Sequence, residues 1–313
     1  MAPYVSLTSQ RGLFVTLPPI GTQRAIAHIL GTLDDKIELN RRMNETLEAI
    51  ARALFKSWFV NFDPVRVRRG DSCGRPKEGR DKPCPYMTPE ILRLFPDSFE
   101  DSELGEIPKG WRVATIRELT NNIQYGLTQS ALAEQIGPHF LRITDIQGGT
   151  ADWSTVPFCK VTLEEHERYR LKPGDVLVAR TGASTGENTY LSVVPDAVFA
   201  SYLVRFQFAD PAIARLVGAY MRTQTYFDYV AGCIGGSAQP NASAQVLAGA
   251  ELVVPKPEIA CSFADFVAPL DKRIAANIEH SNTLASVRDA LLPKLISGEL
   301  RVKDAERIVG GHV

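Results

Sequence analysis

Two long stretches of the chain place apolar residues at alternating intervals of four and three. The first stretch covers residues 26–58 and the second covers residues 263–295. This alternation keeps one apolar seam of an α-helix facing a partner helix, as in a coiled coil. Prolines stand just before each stretch, where they are tolerated at the start of a helix. The pattern therefore predicts long spacer helices over 17–60 and 256–302, the second bent at Pro293.

The two stretches are related as a repeat. Residues 17–56 align with residues 254–293 without a gap, at a constant offset of 237. A single amphipathic helix usually packs on a globular core, but a duplicated seam favours two helices that pair with each other or with copies from another chain. The residues expected in this pairing are Leu33, Ile37, Asn40, Leu47, Leu54, Leu270, Ile274, Asn277, Leu284 and Leu291.

Asn40 and Asn277 occupy matching positions on the predicted seam. A buried amide between helices fixes their register and orientation at some cost in stability. The alternative is that both asparagines lie at a frayed, solvated edge, and the sequence does not choose between the two.

The part of the chain between the helices has two sections. Residues 61–109 are predicted to be a linker, because residues 64–85 hold seven basic and three acidic residues among prolines and glycines. A short helix is expected from Pro89 to Phe95. Residues 110–255 have the α+β texture of one compact domain. Its expected elements are strands within 174–180, 201–208 and 250–255 and a helix over 214–230.

The composition is that of an ordinary globular protein. The 313 residues carry a net charge of −1, and 44% of them are hydrophobic. No apolar run approaches the roughly 18 residues that span a bilayer, and the N-terminus lacks a signal-peptide pattern. The five cysteines are scattered, without the spacing of a zinc site. We expect a cytoplasmic protein with no metal site and no membrane partner.

Several blocks of the chain resemble one known family. The block LPPIGTQRAIAHILGTLDDKIELNRRMNETLEAIARALFKSWFVNFDPVR strongly resembles the helical region of Type I restriction–modification specificity subunits. LFPDSFEDSELGEIPKGW and GGSAQPNAS resemble the entry to and the exit from the target-recognition domain of those subunits.

The resemblance implies an α+β chain with one globular α/β target-recognition domain flanked by two long coiled-coil-forming helices. Such a subunit reads half of a bipartite double-stranded DNA target and docks modification (methyltransferase) subunits through its helices. A motor/endonuclease subunit completes the complex. The resemblance implies no cofactor in this chain, and S-adenosylmethionine, ATP and magnesium on partner subunits.

The chain departs from the usual family pattern. Family members commonly have two recognition domains, whereas this sequence shows one between an atypical lead of residues 1–16 and a tail of residues 303–313. We therefore expect a half-length or truncated subunit, completed by a second copy in a homodimer or by a separate second half-subunit. Gln23-Arg24 of the first repeat is replaced by Ala260-Cys261 in the second.

No catalytic constellation is present in the sequence. It contains no phosphate-binding G-x-x-x-x-G-K-[ST] loop, no G-x-G-x-x-G fingerprint and no H-E-x-x-H spacing. Asp34-Asp35-Lys36 superficially suggests a nuclease acid–lysine pair, but it lies on the first predicted helix without a partner acid nearby. We predict a non-catalytic subunit.

DNA-reading residues are expected in glycine-bearing loops of the recognition domain, where polar side chains can reach base edges. For each single residue, a loop that satisfies its own hydrogen bonds is the alternative. The candidates are Tyr125, Thr128, Gln129, Arg142, Thr144, Arg180, Thr181, Ser184, Thr185, Asn188, Ser237, Gln239 and Asn241.

The charge of residues 110–255 keeps a second hypothesis open. They hold eleven basic against thirteen acidic residues, although phosphate attraction normally supplies much of the affinity for DNA. The alternative function is that of a truncated or regulatory coiled-coil interaction protein that does not itself read DNA.

Overall fold

A computed structural model of the chain describes residues 17–70, 88–235 and 241–311. It has the α+β composition that was predicted, with a long helix near each end and a strand-rich region between them. The chain divides into two compact units. We call residues 1–45 with 276–313 the helical unit, and residues 46–275 the mixed unit.

The two long helices are α1, Ile20–Phe59, and α9, Pro257–Ser297. Each helix contributes residues to both units. Helix α9 continues through Pro293, where the proline pattern predicted a bend. Gly298 follows with φ of +78°, a left-handed conformation that commonly ends helices.

Residues 303–313, which the sequence assigned to a tail, include most of a further helix, α10, Val302–Gly310. Its buried side chains are Ala305 and Val309, spaced four apart on one face. They belong to the same apolar cluster as Leu33 and Leu284. The described part of the tail, residues 303–311, is therefore packed in the helical unit.

The helical unit is an antiparallel helix pair with a buried polar layer. Leu33 and Leu284 are fully buried between the helices. Arg288 donates to Asp34 at 2.7 Å, and Asn277 donates to Asn44 at 2.7 Å. Since numbers rise along α1 as they fall along α9, the two segments run in opposite directions.

Asn40 and Asn277 lie on this seam and are each 3% exposed. The Asn40 amide donates to the Ser281 hydroxyl at 3.2 Å. Of the two alternatives for the asparagines, the structure shows the buried one. The seam is filled by two segments of the same chain.

The mixed unit contains short elements around a four-stranded sheet. Its helices besides the ends of α1 and α9 are α2 (Asp63–Arg69), α3 (Pro89–Leu94), α4 (Ile116–Leu119), α5 (Leu163–Tyr169), α6 (Pro211–Tyr220), α7 (Gln224–Cys233) and α8 (Ala244–Ala248). Its strands are β1 (Phe99–Ser102), β2 (Gly105–Pro108), β3 (Arg112–Thr115), β4 (Asn122–Tyr125), β5 (His139–Leu141), β6 (Ile146–Gln147), β7 (Thr150–Ala151), β8 (Val176–Ala179), β9 (Asn188–Tyr190), β10 (Ala197–Phe199), β11 (Leu203–Gln207) and β12 (Glu251–Val254).

The main sheet has the antiparallel order β4-β11-β8-β9. β5 pairs with β10 in parallel, while β1 with β2, β3 with β12, and β6 with β7 form antiparallel pairs. The linker predicted for 61–109 therefore contains two short helices and a hairpin. The acidic sequence 97–110 forms that hairpin because Gly105 adopts φ of +94° at its turn.

Both faces of the main sheet are covered. Val176 and Val178 pack into the larger apolar cluster of the unit, and Leu177 and Ala179 pack into a second cluster on the other face. Strands that are buried on both faces have continuous apolar sequences instead of alternating ones. This is why the segment 176–179 shows no polar position.

The ends of the long helices close the larger cluster with aromatic side chains. Trp58 is fully buried and lies edge-on to Phe95, with ring centroids 5.2 Å apart. Phe59 meets Phe263 of α9 at 5.1 Å and 90°. Leu54 is buried in the same cluster, Leu270 packs against it, and Leu47 and Ile274 are half-buried.

The helix predicted over 214–230 is two helices. α6 ends at Tyr220, and α7 begins at Gln224 after Thr223, whose hydroxyl accepts from the Tyr226 amide. A threonine that caps a new helix interrupts the apolar periodicity less than a proline would. The break is therefore inconspicuous in the pattern of apolar residues.

Candidate nucleic-acid interface

Three loops meet at one edge of the main sheet. β4 and β8 both run antiparallel to β11, so their carboxyl ends lie at the same edge. Tyr125 is the last residue of β4, and Arg180 and Thr181 directly follow β8. Thr181 forms an antiparallel bridge with Asn241. We call Tyr125, Arg180, Thr181 and Asn241 the Arg180 cluster.

Arg180 is held from several sides. Its guanidinium carbon lies 4.8 Å from the centroid of the Tyr125 ring, and one terminal nitrogen, Nη2, donates to Asn241 Oδ1 at 3.2 Å. Its backbone N–H donates to Tyr202, and its carbonyl accepts from Ala242, at 2.9 and 2.8 Å. These contacts fix the direction in which the side chain points, because both backbone groups and the guanidinium are restrained.

Tyr125 links the cluster to helix α8. Tyr125 is 40% exposed, and its hydroxyl accepts a hydrogen bond of 2.9 Å from the backbone N–H of Ala244. One face of the ring therefore supports Arg180 while the hydroxyl holds the first residue of α8.

The loop after β4 approaches the backbone of the 199–201 turn very closely. A Cβ on Gly126 would lie 2.3 Å from the carbonyl oxygen of Ala200, so only glycine fits there. Leu127 is buried and donates its N–H to Phe199. The predicted readers Thr128 and Gln129 follow on this anchored loop, and both are exposed.

Sequence reasoning did not include Tyr202 among the candidates. Tyr202 is 57% exposed and lies in the turn before β11, where its carbonyl accepts from Arg180. An exposed aromatic ring beside a basic residue can stack on the unpaired bases of a single strand, and on a duplex it can contact the base edges of a groove. In the sequence this tyrosine looked like the start of a buried strand, but β11 begins at Leu203 and Tyr202 lies in the exposed turn before it.

Arg142 and Thr144 lie in a different loop, after β5. Arg142 donates to both carboxylate oxygens of Asp145, at 3.0 and 2.8 Å, and these hydrogen bonds raise the pKa of its guanidinium. An arginine committed to a carboxylate must exchange that partner before it reads a base. Thr144 is exposed beside this pair.

The loop between β8 and β9 contains the remaining described candidates. Ser184 and Thr185 are half-buried, and the Thr185 hydroxyl donates to Gly182 O at 2.7 Å. Asn188 is fully buried and donates to the carbonyls of Gly186 and Met221 at 2.9 and 2.7 Å. Because its side chain is enclosed, Asn188 supports the fold and is removed from the DNA-reading candidates. Ser237 and Gln239 lie outside the described residues.

The arrangement at the sheet edge suits recognition. It offers a guanidinium, an amide, hydroxyls and two exposed aromatic rings, which are groups that contact base edges and faces. In the described parts of the chain, His, Cys, Asp and Glu side chains do not gather into a group of three able to hold a metal ion. Among the same residues, none of the helices has the length and hydrophobicity of a membrane-spanning segment.

Comparisons with known proteins identify relatives along most of the chain. It is 26% identical over 339 aligned positions to the Type I restriction enzyme HindI specificity subunit of Haemophilus influenzae, covering 95% of this chain and 71% of that protein. It is 24% identical to the Type I restriction enzyme MjaIX specificity subunit of Methanocaldococcus jannaschii, covering 93% of this chain and 61% of that protein. No protein-family model matches the chain.

A solved structure has a similar fold. The crystal structure of the Type-I restriction-modification system S subunit from M. genitalium superposes with a TM-score of 0.54 at 13% sequence identity. The match covers 89% of this chain and 61% of that one. At this identity the likeness shows the fold alone, and it includes both units described above.

Proposed function

We propose that this chain, a homologue of the Type I restriction enzyme specificity subunits, reads the base sequence of double-stranded DNA for a restriction–modification complex and performs no catalysis itself. The observation that carries the proposal is the extent of the homology, which covers 95% of the chain. It therefore includes the mixed unit with its Arg180 cluster as well as the long helices.

The extent of the homology also disfavours the alternative function of a coiled-coil interaction protein. A coiled-coil interaction protein that does not read DNA would need only the long helices and their seam. The mixed unit, by contrast, builds an exposed cluster of polar and aromatic side chains on an anchored sheet edge. We propose that this edge faces one half of a bipartite DNA target, with the basic and aromatic groups toward the groove.

The helices supply the surface for the partner subunits in this proposal. Their seam in the helical unit is filled from within the chain, so a partner must bind the outward faces. Leu39, Leu292 and Ile296 are apolar and between 40% and 51% exposed on those faces. We propose that modification subunits dock there, and that S-adenosylmethionine, ATP and magnesium belong to the modification and motor subunits.

Methylome sequencing tests the proposal. A host that expresses this chain with its modification subunit is expected to carry methylated adenine in a split motif with a fixed spacer. The matched control expresses the modification subunit alone and is expected to show no methylated motif. Methylation that is independent of this chain, or the absence of any sequence motif, would contradict the proposal. A palindromic motif would identify a second copy as the reader of the other half.

A further inference from the structure

We infer that Arg180 and Asn241 form a guanine-selecting pair that presents hydrogen-bond donors to the major-groove edge of one guanine. The inference rests on the proposed function, since it concerns how the same site discriminates between bases.

The Arg180 guanidinium leaves one of its hydrogen-bond donors available to a ligand. A guanidinium has donors on Nε and on two terminal nitrogens and accepts no hydrogen bond. Nε is buried and has no hydrogen-bond partner among the described residues, and Nη2 donates to Asn241. The other terminal nitrogen, Nη1, has no hydrogen-bond partner among the described residues and does not belong to their buried unpaired atoms, so it is the donor that Arg180 offers to a ligand.

The hydrogen bond from Arg180 fixes the orientation of the Asn241 amide. Because a guanidinium can only donate, the atom of Asn241 that faces it at 3.2 Å must be the oxygen. The amide nitrogen therefore lies on the other side of the exposed side chain. Within the described residues nothing accepts a hydrogen bond from that nitrogen. Asn241 thus offers a second donor beside the first.

The two donors of Arg180 and Asn241 can be matched to the base edges in the major groove. In the major groove guanine presents two acceptors, N7 and O6, whereas adenine presents one acceptor and one donor. Thymine presents a single acceptor beside a methyl group, and cytosine presents a donor. An asparagine with both amide atoms free would suit adenine, but the oxygen of Asn241 is already engaged. A site with two donors matches guanine best.

The surroundings of Arg180 strengthen this selection. The Tyr125 ring lies 4.8 Å from its guanidinium, and such stacking is a favoured environment for an arginine fork. The backbone on both sides is hydrogen-bonded, and Thr181 is bridged to Asn241. A donor pair that is already in position loses little conformational freedom when it binds, so a mismatched base meets fixed donors.

Selection from duplexes with a randomised central segment tests the inference, using the full-length chain together with its modification subunit. The wild type is expected to enrich a motif that contains guanine. Arg180→Ala is expected to reduce the preference for guanine at one position by about 10- to 100-fold and to leave the other positions unchanged. Asn241→Asp, which keeps an acceptor for Arg180 but removes the outward donor, is expected to weaken the same position.

One control variant separates the pair from general effects. Arg117→Ala removes the same charge from an exposed site of the same unit and is expected to enrich the wild-type motif.

The outcomes distinguish the inference from the proposed function. Arg180→Ala and Asn241→Asp variants that both keep the full guanine preference, or a wild-type motif made only of A·T pairs, would overturn the inference and leave the proposed function standing. A wild-type complex that enriches no motif would overturn both.

Discussion

Two clusters in this chain use asparagine in opposite ways. In the helical unit, Asn277 donates to Asn44, and Asn40 donates to Ser281, all between two packed helices. In the mixed unit, the oxygen of Asn241 binds Arg180 while the rest of its amide is exposed at the sheet edge.

The contrast between the buried and the exposed asparagines distinguishes a polar group that specifies the fold from one that recognises a ligand. A buried amide whose partners lie in the same chain fixes helix register, and losing it is expected to lower stability. An exposed amide with one atom fixed and one atom open contributes little to stability and is available to another molecule.

The apolar layers beside the buried asparagines should dominate the stability of the helical unit. Leu33→Ala is expected to lower the free energy of unfolding by about 2–5 kcal/mol, because it leaves a cavity at a fully buried position. Urea denaturation followed by circular dichroism measures the change. Leu39→Ala, at a position that is 51% exposed on the same helix, is the control and should change little. Equal small losses for both would show that the seam is not packed in solution.

The buried polar layer should come next. Asn277→Ala truncates a buried side chain and leaves the half-buried Asn44 oxygen without its donor, so it is expected to cost about 1–3 kcal/mol. The same denaturation experiment measures it, with Asn282→Ala on the same helix as the control. Replacing Asn44 and Asn277 together by leucine should recover most of the loss, because both partners of this hydrogen bond are then removed. A double variant as unstable as the single one would argue against the proposed pairing.

The exposed cluster should have the smallest effect on folding. Asn241→Ala is expected to change the free energy of unfolding by no more than about 0.5 kcal/mol, as is usual for exposed polar positions. Asn241→Ala and Asn277→Ala each truncate an asparagine to alanine, so the two variants form a matched pair. A loss as large as that of Asn277→Ala would mean that the Arg180 cluster is a structural support.

Much of the fold could be predicted because periodicity is a local property of the sequence. The seam residues of α1 and α9, including Asn40 and Asn277, follow from spacing and repetition alone. The strand β8 follows from a short apolar run. The helix at 302–310 and the break before Thr223 could not be predicted in this way. The first depends on packing against distant residues such as Leu33, and the second on one capping hydroxyl.

The candidate site was predictable by residue type but not by assembly. Arg180 and Asn241 were proposed from polar residues in glycine-bearing loops, yet their contact joins positions 61 residues apart. Asn188 belongs to the same loop sequence as Arg180 but points into the core, because the β8–β9 register turns it inward. Tyr202 was not proposed because its sequence looked like the start of a buried strand, although it lies in an exposed turn. Loop composition suggests which residues can read DNA, and only the strand register decides which of them are exposed.

The contrast between the two asparagines is tested most directly by the DNA motifs that the Asn277→Ala and Asn241→Ala variants enrich, measured side by side under conditions where both are folded. Asn277→Ala is expected to enrich the wild-type motif in spite of its lower stability. Asn241→Ala, with nearly wild-type stability, is expected to lose preference at one position of the motif. Identical motifs from both variants, or a changed motif from Asn277→Ala alone, would contradict the assignment of Asn277 to folding and Asn241 to DNA reading.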